Sequence, residues 1–156
     1  MAVSPRIRTQ VQVMFFDTDC GGVVSNIAYL RFIEIARTLL AEELGLALTE
    51  MAENRRYPVV VRTEIDYRRP AKLGDQLVIE GWLDRVERAR FWCGFQITRP
   101  ADNVLIAQSR QMLALIEMPG GKLLRLPEHW EKYRSDDSAE FEREHRTPIS
   151  GKEPIQ

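Results

Sequence analysis

Phe16-Asp17-Thr18-Asp19-Cys20-Gly21-Gly22-Val23-Val24-Ser25-Asn26-Ile27-Ala28-Tyr29-Leu30-Arg31-Phe32-Ile33-Glu34-Ile35-Ala36-Arg37 runs from a cluster of turn formers into a long segment with helical spacing. Asp17 to Gly22 breaks any regular pattern, Ser25 or Asn26 can cap the helix that follows, and Gly45 stops it after Leu44. With residues about 100° apart around the axis, Arg31, Glu34, Thr38 and Glu42 form one narrow polar stripe. Tyr29, Ile33, Ala36, Leu40 and Leu44 lie opposite, and Phe32, Ile35, Leu39, Leu30 and Ala41 widen the apolar surface on both flanks. A helix this apolar is expected to be wrapped by other structure over residues 26–44, not docked by one edge.

The surrounding sequence supplies the wrapping. Upstream, Ile7, Thr9, Val11, Val13 and Phe15 alternate with polar neighbours, which predicts a strand from Ile7 to Phe16. Downstream, Val59, Val61, Thr63, Ile65 and Tyr67 alternate with Val60, Arg62, Glu64, Asp66 and Arg68, and Pro70 to Asp75 turns the chain. Three further extended runs follow, Gln76 to Val86, Arg90 to Arg99 and Val104 to Glu117, separated by polar or turn segments. Short links favour antiparallel pairing, so the simplest α+β arrangement is one five-stranded sheet curved around one helix. Residues 1–130 form the expected domain, and 131–156, rich in charge and poor in apolar residues, read as a polar tail.

Composition narrows the function classes. The chain has 156 residues, 44% apolar and 29% charged, enough for one domain with a substantial core. A formal net charge of -1 gives no electrostatic footprint for nucleic acid or anionic lipid. The N-terminus lacks the apolar run of a signal peptide and no stretch approaches the length of a spanning helix, so a cytoplasmic protein is expected. Cys20 and Cys93 are too few for a disulfide framework or a zinc cage and read as core filler. Both histidines, His129 and His145, fall in the last fifth of the chain, so no histidine base stands in the body of the domain.

Chemistry is best placed at the Asp17-x-Asp19-x-x-Gly22 turn. A carboxylate there would face the first unpaired N–H groups of a buried helix, donors suited to a carbonyl oxygen that becomes an oxyanion. Gly21 and Gly22 would let a substrate approach the backbone. Such a site can run acyl transfer, with Asp attacking a thioester or activating water, although spacing alone does not choose between Asp17 and Asp19. Glu34 sits on the polar stripe and reads as a solvated or interface residue. No Ser-His-Asp or Cys-His set, Gly-x-Ser-x-Gly elbow, Walker loop, dinucleotide fingerprint or ligand-spaced Cys/His pair is present, so neither a metal nor a cofactor is expected.

The stretch from Phe16 to Arg37 resembles the signature of the 4-hydroxybenzoyl-CoA thioesterase family, and Tyr67-x-x-Pro70-x-x-x-Gly74-Asp75 resembles its second recurring segment. The resemblance spans roughly residues 7–130 and implies a hotdog fold and hydrolysis of acyl-coenzyme A, which enters as substrate only. It implies that Asp19 carries the carboxylate role, that the polarising N–H lies around Asn26, and that Asp17 organises the loop. Many relatives carry an aromatic residue followed by His or Pro where this chain has Ser25-Asn26, so any help from a histidine there is absent. The family also implies a homodimer or homotetramer with the site at a subunit interface, the partner's Val59 to Arg68 region forming a wall. Candidate substrate-binding residues are Gly22, Val23, Tyr29, Val59, Val61, Arg68 and Arg69, the two arginines matching phosphate oxygens of coenzyme A. A non-catalytic acyl-CoA-binding or regulatory protein of the same fold is the alternative, and it would need no carboxylate at position 19.

Overall fold

The computed structural model describes residues 2–134. The helix α1 spans Asn26–Glu43, and Ser25 is its cap, with the Ser25 hydroxyl accepting from the Ala28 N–H at 3.3 Å. It ends in a reciprocal pair of bonds, Leu46 N–H to the Ala41 carbonyl and Gly45 N–H to the Glu42 carbonyl, made possible by Gly45 at φ 78°. Ile33, Ala36 and Leu40 have no exposed surface, and Tyr29, Phe32 and Leu44 are buried beside them.

Six antiparallel strands make one sheet: β1 Arg6–Gln12, β2 Arg56–Tyr67, β3 Gln76–Val86, β4 Arg90–Arg99, β5 Val104–Glu117 and the short β6 Lys122–Leu123. The order is β1-β3-β4-β5-β2, with β6 pairing β5 off this path. The expected α+β architecture is therefore observed, with a two-residue strand added to the five read from the sequence. Strand β3 sends Leu77, Ile79 and Leu83 into the core, and β4 sends Phe91, Cys93, Phe95 and Ile97. Each large side chain buried this way contributes about 1.5–3 kcal/mol. Trp130, in a 3-10 turn over Glu128–Tyr133, packs edge-on against Phe91 and donates its indole N–H to the Leu44 carbonyl at 3.1 Å. Tyr133 packs on the same core and Arg134 bridges Val86, while the tail expected from residue 131 lies, from 135 onward, outside the described residues.

Four details depart from the sequence reading. Strand β1 stops at Gln12, because Val13 exchanges backbone bonds with Gly74 and Asp75 and the chain then makes a 3-10 turn over Phe15–Asp17. Phe15 is consequently 81% exposed and faces no core. In β2 a bulge at Val61 breaks the alternation: Val59 pairs with Ala114, Val60 with Leu113, and Thr63 with Gln111. Because Leu113 points into the core and directly paired residues share a face, Val60 and Thr63 face α1 while Val59 does not. A short helix α2, Leu48–Asn54, precedes β2 and buries Met51, ending at Arg55 in the left-handed region. Finally, Cys93 is buried but Cys20 is exposed at the hairpin tip, so only the former is core filler.

Within one chain α1 is covered on one side, against β1, β3 and β4. Ile27 (73%), Leu30 and Ile35 remain exposed although the sequence placed Leu30 and Ile35 in the apolar surface to be wrapped. The strands of a single sheet reach around one side of the helix only. None of the helices among the described residues is long and apolar enough to cross a membrane.

Candidate active site

The segment from Val13 to Ser25 is built by its own carboxylates. Asp17 is 2% exposed, and its side chain accepts the Met14 N–H at 2.8 Å on Oδ2 and pairs through Oδ1 with the Arg31 guanidinium. Its carbonyl accepts the Ser25 N–H at 2.9 Å, which ties the start of the loop to the helix cap. Both Asp17 oxygens are thus occupied, and its charge is balanced by the paired guanidinium.

Beyond Asp17 the chain makes a tight hairpin. Thr18 bridges Val24, the Asp19 N–H bonds the Val23 carbonyl at 3.0 Å, and the Gly22 N–H returns to the Asp19 carbonyl at 3.0 Å. Asp19 opens that turn because its Oδ1 accepts the Gly21 N–H at 2.8 Å, the local bond that favours Asp in such positions. Gly22 adopts φ 73°, where a side chain is strained. Asp19 is exposed, and its Oδ2 meets no donor among the described residues. The hairpin's second arm leads into α1, whose first two N–H groups, of Asn26 and Ile27, have no acceptor among the described residues; the Ser25 hydroxyl takes Ala28 instead. One hairpin therefore joins an oriented carboxylate with a free oxygen to a helix start with free donors.

A cleft of about 320 Å³ opens at that helix start, lined by Val24, Asn26, Tyr29, Tyr67, Arg68, Arg69 and Pro70. The Tyr29 and Tyr67 rings stand 5.4 Å apart, centroid to centroid, and make its aromatic side. The Tyr29 hydroxyl accepts the Ala71 N–H at 3.3 Å, and burial, the largest influence, raises its pKa above the ordinary tyrosine value. Opposite, the turn after β2 is clamped by Arg99, which donates to the Pro70 carbonyl at 3.2 Å and pairs with Asp75 at 2.9 Å and Asp102 at 2.7 Å. Those bonds, first to Asp102 and then to Asp75, raise the Arg99 pKa, and Arg99 in turn lowers that of Asp102. The Val24 N–H bonds the Ala71 carbonyl at 2.9 Å and Val23 bridges Lys72, so this turn and the hairpin are stitched edge to edge.

Of the residues singled out from the sequence, Asn26, Tyr29, Arg68 and Arg69 line this cleft together. Asp19, Gly22 and Val23 lie in the adjoining hairpin but do not line it, and neither do Val59, in the first half of β2, and Val61, at its middle. Arg68 bonds Gln108 at 3.3 Å, and Arg69 donates to the Arg68 carbonyl at 3.4 Å. Val24, Tyr67 and Pro70 were missed as lining residues, although the Tyr67-x-x-Pro70 pattern was visible. Arg31 and Arg99 were missed as braces, because nothing in spacing pairs them with Asp17 or with Asp75. Among the described residues no group of three or more His, Cys, Asp or Glu could hold a metal ion.

Residues 13–132 match the family model described as the thioesterase-like superfamily. The chain is 30% identical over 118 residues to the acyl-CoA thioesterase YbgC of Haemophilus influenzae, covering 75% of this chain and 85% of that one. It is 29% identical over 122 residues to a 1,4-dihydroxy-2-naphthoyl-CoA hydrolase of Synechocystis, covering 77% and 88%. The crystal structure of Slr0204, a 1,4-dihydroxy-2-naphthoyl-CoA thioesterase from Synechocystis, superposes with a TM-score of 0.72 at 25% identity over 84% of this chain and 96% of that one.

Proposed function

The chain belongs to the thioesterase-like superfamily, and from that premise we propose that it hydrolyses acyl-coenzyme A thioesters to a free acid and coenzyme A, with Asp19 as the reacting carboxylate. The single observation that carries this reading is the hairpin joining Asp19, with its Oδ2 free, to the unpaired N–H groups of Asn26 and Ile27. The narrower kinship with the 4-hydroxybenzoyl-CoA thioesterases rests on the motif from Phe16 to Arg37.

Two routes share this geometry. As general base, Asp19 takes a proton from water as the water oxygen bonds the thioester carbon; the resulting oxyanion is held by the α1 N–H groups. Collapse breaks the C–S bond, and the proton passes from Asp19 to the departing thiolate. As nucleophile, Asp19 instead bonds the carbonyl carbon, thiolate leaves, and water then cleaves the mixed anhydride. In both, Tyr29, Tyr67 and Val24 offer the apolar surface beside the carbonyl, and Arg68 and Arg69 stand at its rim, where coenzyme A phosphates would find positive charge. We read Val59 and Val61 as reaching the site only from a second copy of the chain, across its β2 edge.

The test is thiol release from a panel of aromatic and aliphatic acyl-CoA thioesters by wild type and Asp19→Asn. Asn keeps the size and removes charge and basicity, so turnover falls by about 10²-fold or more with substrate still bound. Equal turnover by the two proteins would refute Asp19 as the reacting group. Binding of every acyl-CoA in the panel without thiol release would favour the non-catalytic alternative.

A further inference from the structure

We propose that Arg31 is a positioning residue of this site: by gripping Asp17 and Phe16 from the second turn of α1, it holds the Asp19 hairpin in register with the N–H groups at the helix start. The proposal rests on the reading of Asp19 as the reacting carboxylate.

Asp17 is a buried charge, and a buried carboxylate persists only where its charge is balanced and its oxygens are bonded. The balance comes from α1, through the Arg31 guanidinium on Oδ1. The same guanidinium lies 5.2 Å from the centre of the Phe16 ring, a cation–π contact, so two consecutive loop residues are held by one helix side chain. The other bonds of the hairpin either are local, Thr18 with Val24, Asp19 with Val23, Gly22 with Asp19, or tie its second arm to the turn after β2, Val24 to Ala71 and Val23 to Lys72, so none of them holds its first arm against the flank of the helix. The Ser25 N–H to Asp17 carbonyl bond ties the loop to the cap at one point. Arg31, six residues beyond the Ser25 cap, supplies a second point of attachment of that arm to α1, away from the first, and two separated points define an orientation. Asp19 follows Asp17 by two residues, so a loop freed at Asp17 carries the carboxylate with it. Displacement of a reacting group by about 1 Å can cost about 10²-fold in rate.

The first turn of α1 contains no acidic residue, so with Asp17 held by Arg31 on the helix flank the N–H groups of Asn26 and Ile27 have no competing carboxylate in their own turn.

The experiment is kinetic, on the full chain, with an acyl-CoA that wild type hydrolyses. Arg31→Gln is expected to lower kcat by about 10- to 100-fold with KM changed by less than about threefold, and Arg31→Lys, which keeps charge without the fork, to recover part of the loss. Arg31→Gln in the Asp19→Asn background should then cost little more, because Arg31 acts through Asp19; a full multiplicative loss there would overturn the proposal. So would wild-type kcat in Arg31→Gln, or a rise in KM at unchanged kcat, which would make Arg31 a substrate contact. If Arg31→Gln does not fold, Arg31→Lys carries the same cycle with Asp19→Asn. An Asp19→Asn protein with wild-type turnover would instead sink the underlying reading, so the two failures are distinct.

Discussion

Gly21 and Gly22 are neighbours in one exposed hairpin, yet an alanine should act on them through different physics. A Cβ built on Gly21 stands 3.1 Å from Asp19 Oδ1, closer than carbon and oxygen ordinarily approach, and Gly21 is not among the residues at positive φ. The backbone therefore tolerates alanine, and the chain gains about 0.4–1 kcal/mol from the unfolded state. The carboxylate must yield by a few tenths of an ångström and weaken its 2.8 Å bond from the Gly21 N–H. An exposed hydrogen bond of this kind has a net worth of about 0.5–1.5 kcal/mol. If that orientation matters in the transition state, Gly21→Ala lowers kcat/KM by about 3- to 10-fold while Tm stays within about 2 °C. Gly22 is the converse: nothing lies within 4 Å of its Cβ position, but φ is +73°, and alanine there costs about 1 kcal/mol. Thiol release and thermal melts on both variants decide the matter. Wild-type turnover in Gly21→Ala, or a larger turnover loss in Gly22→Ala than in Gly21→Ala, would refute the idea that Asp19 orientation controls the rate.

Two other measurements address the fold around the site. Burial pushes the Cys93 thiol up to about 12, whereas Cys20 is exposed, so an aromatic disulfide reagent at pH 8 should titrate one thiol per native chain and two in denaturant. The raised value also means that Cys93 favours the folded state below the ordinary thiol value of about 9, and that this contribution is lost as pH rises towards 12; a urea midpoint that does not fall faster in wild type than in Cys93→Ala across that window would contradict it. Strand β2 is a twelve-residue edge strand with Val60 and Val61 exposed, an edge suited to pairing with a second copy of the chain. Wild type is expected to sediment as a dimer or larger at micromolar concentration, and Val60→Lys with Val61→Lys as a monomer; a wild-type monomer would refute the pairing.

The elements that could be read from the sequence are those governed by neighbours along the chain. Ser25 before an apolar 3.6-residue repeat and Gly45 after it bounded α1 to within a residue, because cap and stop chemistry are local. Alternation located β3, β4 and β5 at Gln76, Arg90 and Val104 for the same reason. Alternation misled from Val13 to Phe16, where a bond from the Met14 N–H to the Asp17 carboxylate and backbone bonds to Gly74 and Asp75 replace the sheet ladder. It misled again at Val61, since a single bulged residue exchanges the faces of everything before it. The site was legible where it is contiguous, from Asp17 to Tyr29. Tyr67, Pro70 and Arg99 join it through tertiary bonds across the Ala71 turn, and no periodicity encodes a bond between Val24 and Ala71 or between Arg99 and Pro70.

The two aspartates of the motif then divide their work by what surrounds them. Asp17 sits where the 3-10 turn meets the helix flank, with one oxygen on a backbone N–H and the other on a guanidinium. A carboxylate so engaged has both oxygens bonded and its charge balanced, which leaves it in place as an anchor of the loop. Two residues on, across one extended step at Thr18, Asp19 emerges on the exposed side of the hairpin with one oxygen steadied by Gly21 and the other open. It is oriented without being neutralised, which is the state a reacting carboxylate needs before substrate arrives. The order matters, because Asp17, with both oxygens bonded, lies nearer the strand and anchors the loop, while Asp19 lies beside the glycines Gly21 and Gly22 on the exposed side of the hairpin. Exchanging the environments would bury Asp19 and leave the loop without its anchor. Asp17→Asn should therefore reach turnover only through the position of the loop, and Asp19→Asn through the chemistry itself.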